Sequence, residues 1–399
     1  MIVKVNKILT SFFHALLIAI VICSFIQTTF PIVFVQSGLV IVIDSDTTWT
    51  MANSPFNITG PLLVSNGVSL TIEPGVTVNF MDYDYYMQIN GTLIAKGESG
   101  NPIYFNNGNE IQFTKESAGW NEQTNTGSIL EKAILTNISV RTYGSPKINN
   151  NTIVGSIRIE GSALSITNNQ IKGSVSVKNG SPKITNNIID TNPGTDWVGR
   201  PNYSQYGINI EGENTAYIAN NDITSPFTGA AIKISDGTPT IERNFVTNTY
   251  GYGHEGYPQS GIQISSDAKP LIQNNTITKS SIGITCYSSF GTIIYNNIFN
   301  NTNYNIYTES NVANEVNAPY NWWGTTDTQA INATIYDYKY DFNIAKLNFT
   351  PILTEENPKA QPEYTTPIPE FPSWTILPLA AVIILVAIIF KKKSREKNY

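Results

Sequence analysis

Soft metal ligands are scarce in this chain: two cysteines, two histidines and four methionines in 399 residues. Cys23 lies in an apolar N-terminal stretch, and Cys286 stands alone at an inward position of a strand-like run. The chain beyond that stretch therefore has one thiol and no internal disulfide, and Cys286 reads as a small core residue. Its one histidine, His254, and its methionines, Met51, Met81 and Met87, do not cluster with that thiol, which excludes a copper site. Charge is also scarce, at 14% of residues with a formal net charge of −6. The bases concentrate at the ends. Between residues 11 and 390 there are 17 basic against 29 acidic residues, which argues against nucleic acid or an anionic membrane surface as partner. Long apolar runs occur only near the two termini.

What is abundant is one phrase, Ile-x-Asn-Asn-x-Ile. It appears as Ile148-Asn-Asn-Asn-Thr-Ile153, Ile166-Thr-Asn-Asn-Gln-Ile171 and Ile184-Thr-Asn-Asn-Ile-Ile189. It returns as Ile218-Ala-Asn-Asn-Asp-Ile223, Ile272-Gln-Asn-Asn-Thr-Ile277 and Ile294-Tyr-Asn-Asn-Ile-Phe299, with a degraded copy at Ile241-Glu-Arg-Asn-Phe-Val246. Successive second asparagines, from Asn151 to Asn297, are 18, 18, 34, 23, 31 and 22 residues apart. A fixed phrase at variable intervals is a solenoid with loops inserted at some turns. The flanking isoleucines point inward. The Asn pair makes a corner, because Asn tolerates left-handed backbone, and stacked Asn side chains can hydrogen-bond as a ladder. Apolar runs of period two, such as Ile157-Arg-Ile159, Val175-Ser-Val177 and Ile232-Lys-Ile234, read as half-buried strands. Pro146, Pro182, Pro239 and Pro270 open strands, where a missing N–H is tolerated.

On these residues the chain resembles the right-handed parallel β-helix family, the pectate-lyase-like solenoids, over roughly residues 56–325. The expected fold class is all-β, a right-handed parallel β-helix solenoid. Left-handed β-helices repeat strict hexapeptides, which are absent here, and parallel crossovers are right-handed by default. Residues 58–105 are similar in wording to the opening coils of such proteins; Glu73-Pro74-Gly75 reads as a tight turn there, not as a catalytic acid. Asn321-Trp-Trp-Gly324 resembles a phrase that closes β-helices, and Tyr336, Tyr338, Tyr340, Phe342 and Phe349 would finish a cap over the last coil.

The expected organisation follows in order. Residues 1–37 form a signal peptide or N-terminal anchor, with Lys4 and Lys7 ahead of an apolar run. Residues 38–325 form the solenoid, 326–353 its cap and 354–373 a Pro-rich linker, about 60 Å long at ~3.1 Å per residue. Residues 374–390 are a transmembrane helix, and the basic tail 391–399 marks the cytoplasmic side. Pro369-Glu370-Phe371-Pro372 resembles the archaeal PEF-type C-terminal sorting signal, which implies that the tail is cut and replaced by an anchor. Sequons at Asn57, Asn90, Asn137, Asn202, Asn332 and Asn348 offer glycosylation sites on an exported chain.

Two intervals in the repeat are long, and both open at the same point of the coil. They carry Trp197 and Tyr203 with Asp196 and Arg200, and Tyr250, Tyr252 and Tyr257 with His254 and Glu255. One short-looped coil separates them, so their bases sit about 10 Å apart. The aromatic residues would line a groove for sugar rings with the charged residues at its rim, or pack the loops onto the solenoid. The expected function is a membrane-anchored, outward-facing surface protein, structural or glycan-binding. Its expected partners are the membrane and polysaccharide or cell-surface glycans, not nucleic acid. The alternative is a polysaccharide lyase or glycoside hydrolase of the pectate-lyase-like fold. A lyase would add Ca²⁺, with Asp190, Asp196 and Glu255 as oxygen ligands and Arg200 as base; no other cofactor or metal is expected. A hydrolase would need two carboxylates at a defined separation.

Overall fold

The computed structural model describes residues 39–191, 206–225, 229–248, 259–287, 291–309 and 315–363. Among these, three parallel sheets of 13, 11 and 11 strands run the length of the molecule, here called sheets A, B and C. One coil visits each sheet once. Ser139–Thr142 lies in sheet A, Lys147–Asn149 in sheet B and Thr152–Val154 in sheet C, and Ile157–Glu160 returns to sheet A one coil further on. Every strand of a sheet pairs with its equivalent in the next coil. Identical positions therefore stack into columns.

The columns explain why isoleucine recurs. Ile148, Ile166, Ile184, Ile218, Ile241, Ile272 and Ile293 are in register along sheet B, and each is at most 1% exposed. Ile153, Ile171, Ile189, Ile223, Val246, Ile277 and Ile298 do the same along sheet C. Each such burial contributes about 1.5–3 kcal/mol. β-branched side chains suit these positions because a pleated strand holds them in one rotamer against their neighbours.

Between sheets B and C the two asparagines of the phrase divide the work. The first holds the left-handed conformation, with φ of 58° at Asn150, 58° at Asn168, 57° at Asn186, 56° at Asn220 and 53° at Asn274. The second is the buried rung of a ladder. Oδ1 of Asn187 accepts from both the backbone N–H (2.9 Å) and Nδ2 (3.0 Å) of Asn169, while Nδ2 of Asn187 donates to Oδ1 of Asn221 at 3.0 Å. The pattern runs through Asn151, Asn169, Asn187, Asn221, Asn244, Asn275, Asn296 and Asn321. Because a backbone N–H can only donate, it fixes which amide atom is oxygen at every rung. One expectation is corrected here. The sixth repeat is read one residue late: Ile293 pairs with Ile272, so the inward pair is Ile293 and Ile298, and the rung is Asn296 rather than Asn297. Tyr295 takes the left-handed site with φ 59°, showing that this site accepts residues other than Asn. Asn321 is the eighth rung, so the Asn-Trp-Trp-Gly phrase continues the ladder before it closes the solenoid.

The C-terminal end is then covered. Trp322 bridges to Asn297 at the end of sheet C, while Trp323 is buried and meets Phe349 edge-on at 6.1 Å. Gly324 has φ 83°, and a Cβ there would lie 2.9 Å from Phe299 Cβ, so only glycine closes the turn. A short helix, Thr328–Ala333, is capped by Asp327 and buries Ile331.

The segment expected to leave as an extended stalk does not do so over residues 354–363. It folds back along the outside of the B/C corner. Leu353 N–H donates to Asn321 O at 3.1 Å, and Asn357 N–H donates to Asn297 Oδ1 at 2.8 Å. Asn357 Nδ2 donates to Asn274 Oδ1 (3.1 Å) and Tyr295 O (2.5 Å); Thr276 Oγ1 donates to Ala360 O (2.6 Å). Glu363 N–H reaches Asn220 Oδ1 at 3.3 Å. The corner presents side-chain amides and a carbonyl that the passing segment bonds to, with a turn at Pro358 and Lys359 on the way.

Candidate functional site

All nine residues expected to form the groove, Trp197, Tyr203, Tyr250, Tyr252, Tyr257, Asp196, Arg200, His254 and Glu255, lie outside the described residues. The strands that flank them are described. The first insertion follows Ile188–Asp190 in sheet C and precedes Tyr206–Asn214 in sheet A. The second follows Phe245–Thr247 in sheet C and precedes Ser260–Ile264 in sheet A. Asp222–Thr224 pairs with both sheet C strands and lies between them. Both insertions therefore open at the C/A corner, beside the outer face of sheet A.

That corner has a polar lining the sequence reading missed. Thr191 Oγ1 donates to Ser225 Oγ at 3.0 Å, Asn248 N–H to Ser280 Oγ at 3.0 Å, and Ser280 N–H to Asn301 Oδ1 at 3.1 Å. The signal was present but weak: Thr191, Ser225 and Asn248 each directly follow a sheet C strand, and three different side chains hide the repeat. At the two ends of the second insertion, Asn248 Oδ1 and Gln259 Oε1 are buried acceptors with no hydrogen-bond partner among the described residues.

The outer face of sheet A forms the adjoining surface, and its side chains change character along the axis. Near the N-terminal coils it is an ion-pair network: Arg141 lies 3.1 Å from Glu110 and 3.6 Å from Glu160, and Arg158 lies 3.6 Å from Glu110. Next in register come Ser176, Asn209, Lys233 and Gln263. Lys233 Nζ sits 4.8 Å over the Tyr206 ring, so the residue that ends the first insertion touches the middle of this face. The column ends in tyrosines. Tyr307 stacks on Tyr336 at 4.5 Å, and Tyr336 on Tyr340 at 4.9 Å; Tyr304 meets Tyr336 edge-on at 5.4 Å. Tyr307 donates to Glu309 Oε1 at 3.0 Å. Burial, and then the hydrogen bond to Glu309, push the Tyr307 phenol well above its ordinary range; burial and the nearby Glu309 and Tyr206 raise Tyr287. Both stay neutral donors at any physiological pH. Tyr336 and Tyr340, expected to help finish the cap, instead extend this outer column, because Tyr336 is in register with Tyr307 on an outward position.

Of the residues expected to serve a lyase, Asp190 is described. It sits on sheet C in register with Lys172 and Thr224, and it adds to the burial that raises the carboxyl of Asp222. Among the described residues no group of three His, Cys, Asp or Glu side chains is placed to hold a metal ion. Cys286 is fully buried, and burial pushes its thiol far above the reactive range.

Stacked parallel sheets with a three-strand coil define the class: a parallel β-helix. Residues 173–334 match the family model described as the right handed beta helix region, and the same three sheets continue N-terminally to Ile41–Ile43. The chain thus carries a right-handed β-helix repeat. No curated protein and no solved structure matches it.

Proposed function

We propose that this protein is a membrane-anchored β-helix that binds polysaccharide outside the cell, on the outer face of sheet A and the two insertions beside it. The observation that carries this reading is the shared opening of both insertions at the C/A corner, next to a face that ends in stacked tyrosines. Phenol rings offer apolar edges and neutral hydroxyls together, and Lys233, Glu309, Asn209 and Gln263 offer the polar contacts that sugar hydroxyls need. Anchorage rests on the apolar run at residues 374–390 and the basic tail after it. Among the described residues no helix is long and apolar enough to cross a membrane, and that run lies outside them. Pro369-Glu370-Phe371-Pro372, also outside them, supports processing of the PEF type.

The test is titration of the purified full chain against a panel of acidic and neutral polysaccharides, with product analysis with and without Ca²⁺. Binding should weaken modestly and in parts in Trp197→Ala, Tyr252→Ala and Tyr340→Ala, because several rings share the contact. Binding that none of the three changes places the site elsewhere. Cleavage products would move the protein to the lyase or hydrolase class. Neither binding nor cleavage would leave a structural scaffold.

A further inference from the structure

The returning segment decides where the chain leaves the solenoid. Between Leu353 and Glu363 it passes from the Asn321 rung to the Asn221 rung, four coils or about 19 Å back at ~4.8 Å per coil. It runs on the B/C corner. Of the three corners, this is the one that sheet A does not touch. The exit is therefore at mid-solenoid, on the side away from the face proposed to bind.

We propose that the strap lays the solenoid side-on against the membrane, with the B/C corner toward the bilayer and the outer face of sheet A presented outward. This rests on the anchored reading above. The tether length supports it. Ten residues, 364–373, separate the strap from the apolar run, a reach of about 33 Å at ~3.3 Å per residue. Standing on its C-terminal end, the solenoid would need about 24 Å of that reach to pass the five sheet A coils after the exit, before the cap is counted. Standing on its N-terminal end it would need about 34 Å for the seven coils before the exit. Lying on its side it needs almost none. The hydrogen bonds hold the exit firmly: Asn357 alone exchanges bonds with Asn297, Asn274 and Tyr295.

Two positions of one coil test this. Lys178, in Val175–Gly180 of sheet A, is exposed on the outer face, and Ile188, in Ile188–Asp190 of sheet C, is 47% exposed beside the corner. They sit at the same height along the axis. The full chain with Cys23→Ser, carrying Lys178→Cys or Ile188→Cys and an environment-sensitive fluorophore, would be placed in vesicles containing nitroxide lipids. Cys286 is buried and stays unlabelled. The expected result is loss of fluorescence at position 188 and retention at 178. Equal quenching at both sites overturns the side-on placement while leaving anchorage intact. A chain that does not float with vesicles overturns the anchored reading and this orientation with it. Adding Asn357→Ala should keep flotation and remove the difference between the two sites; an unchanged difference would show that the strap does not set the orientation.

Discussion

Asn187 accepts two hydrogen bonds from one coil and passes two to the next, and at 1% exposure no water replaces any of them. Its neighbour Asn186 does something else. It supplies a left-handed φ of 57°, a place filled elsewhere by Lys132, Arg243, Tyr295 and Tyr320. The two substitutions should therefore differ. Asn187→Leu strands the Asn169 N–H and the Ile166 carbonyl, each a buried group whose orphaning costs about 1–3 kcal/mol. Asn186→Leu meets only the backbone preference, about 1–2 kcal/mol. Hydrogen exchange should show the Asn169 amide losing protection in the first variant and keeping it in the second. Equal loss would mean that backbone conformation, not the ladder, holds the corner.

At the scale of elements, the strap at residues 353–363 behaves as part of the solenoid although its sequence reads as a linker. Pro358 opens a tight turn in which the Ala360 N–H donates to Asn357 O at 3.1 Å, and several of the strap's other amides and carbonyls bond to the corner. Docked backbone resists proteases, which need a locally opened chain. Trypsin should spare the bond after Lys359 in the native chain and cut it in Asn357→Ala, which loses the side-chain bonds to Asn274 and Tyr295. Rapid cleavage after Lys359 in the unaltered chain would show that the strap is not held.

At the scale of the whole molecule, the described residues place 13 sheet A strands in register from Ile41–Ile43 to Ile335–Tyr336, about 58 Å along the axis at ~4.8 Å per coil. If the solenoid is outside and the tail inside, protease added to intact cells should remove the solenoid's epitopes and spare residues 391–399 where the tail is retained. Protection in intact cells followed by cleavage after lysis would reverse the orientation.

The solenoid was legible in the sequence because every coil asks the same local question. An inward β-branched residue, a left-handed corner and an inward β-branched residue five positions later recur wherever the chain turns from sheet B to sheet C. The repeat was enough to expect a solenoid of short strands, and the resemblance it carried implied the β-helix class. The register of the sixth repeat was not legible. Ile293 and Ile294 are adjacent, Asn296 and Asn297 likewise, and only stacking on Ile272 and Asn275 chooses between them. The second polar corner was hidden by the use of Thr, Ser and Asn for one job. The tyrosine column and the strap needed coordinates for another reason. Tyr307 and Tyr336 are 29 residues apart in the chain, and Glu363 and Asn220 are 143 apart. Contacts at such separations depend on which coils lie side by side and on where the chain turns back, and no local pattern encodes either. The repeat itself was determined residue by residue; the face it presents and the point where the chain leaves it were decided only by the folded whole.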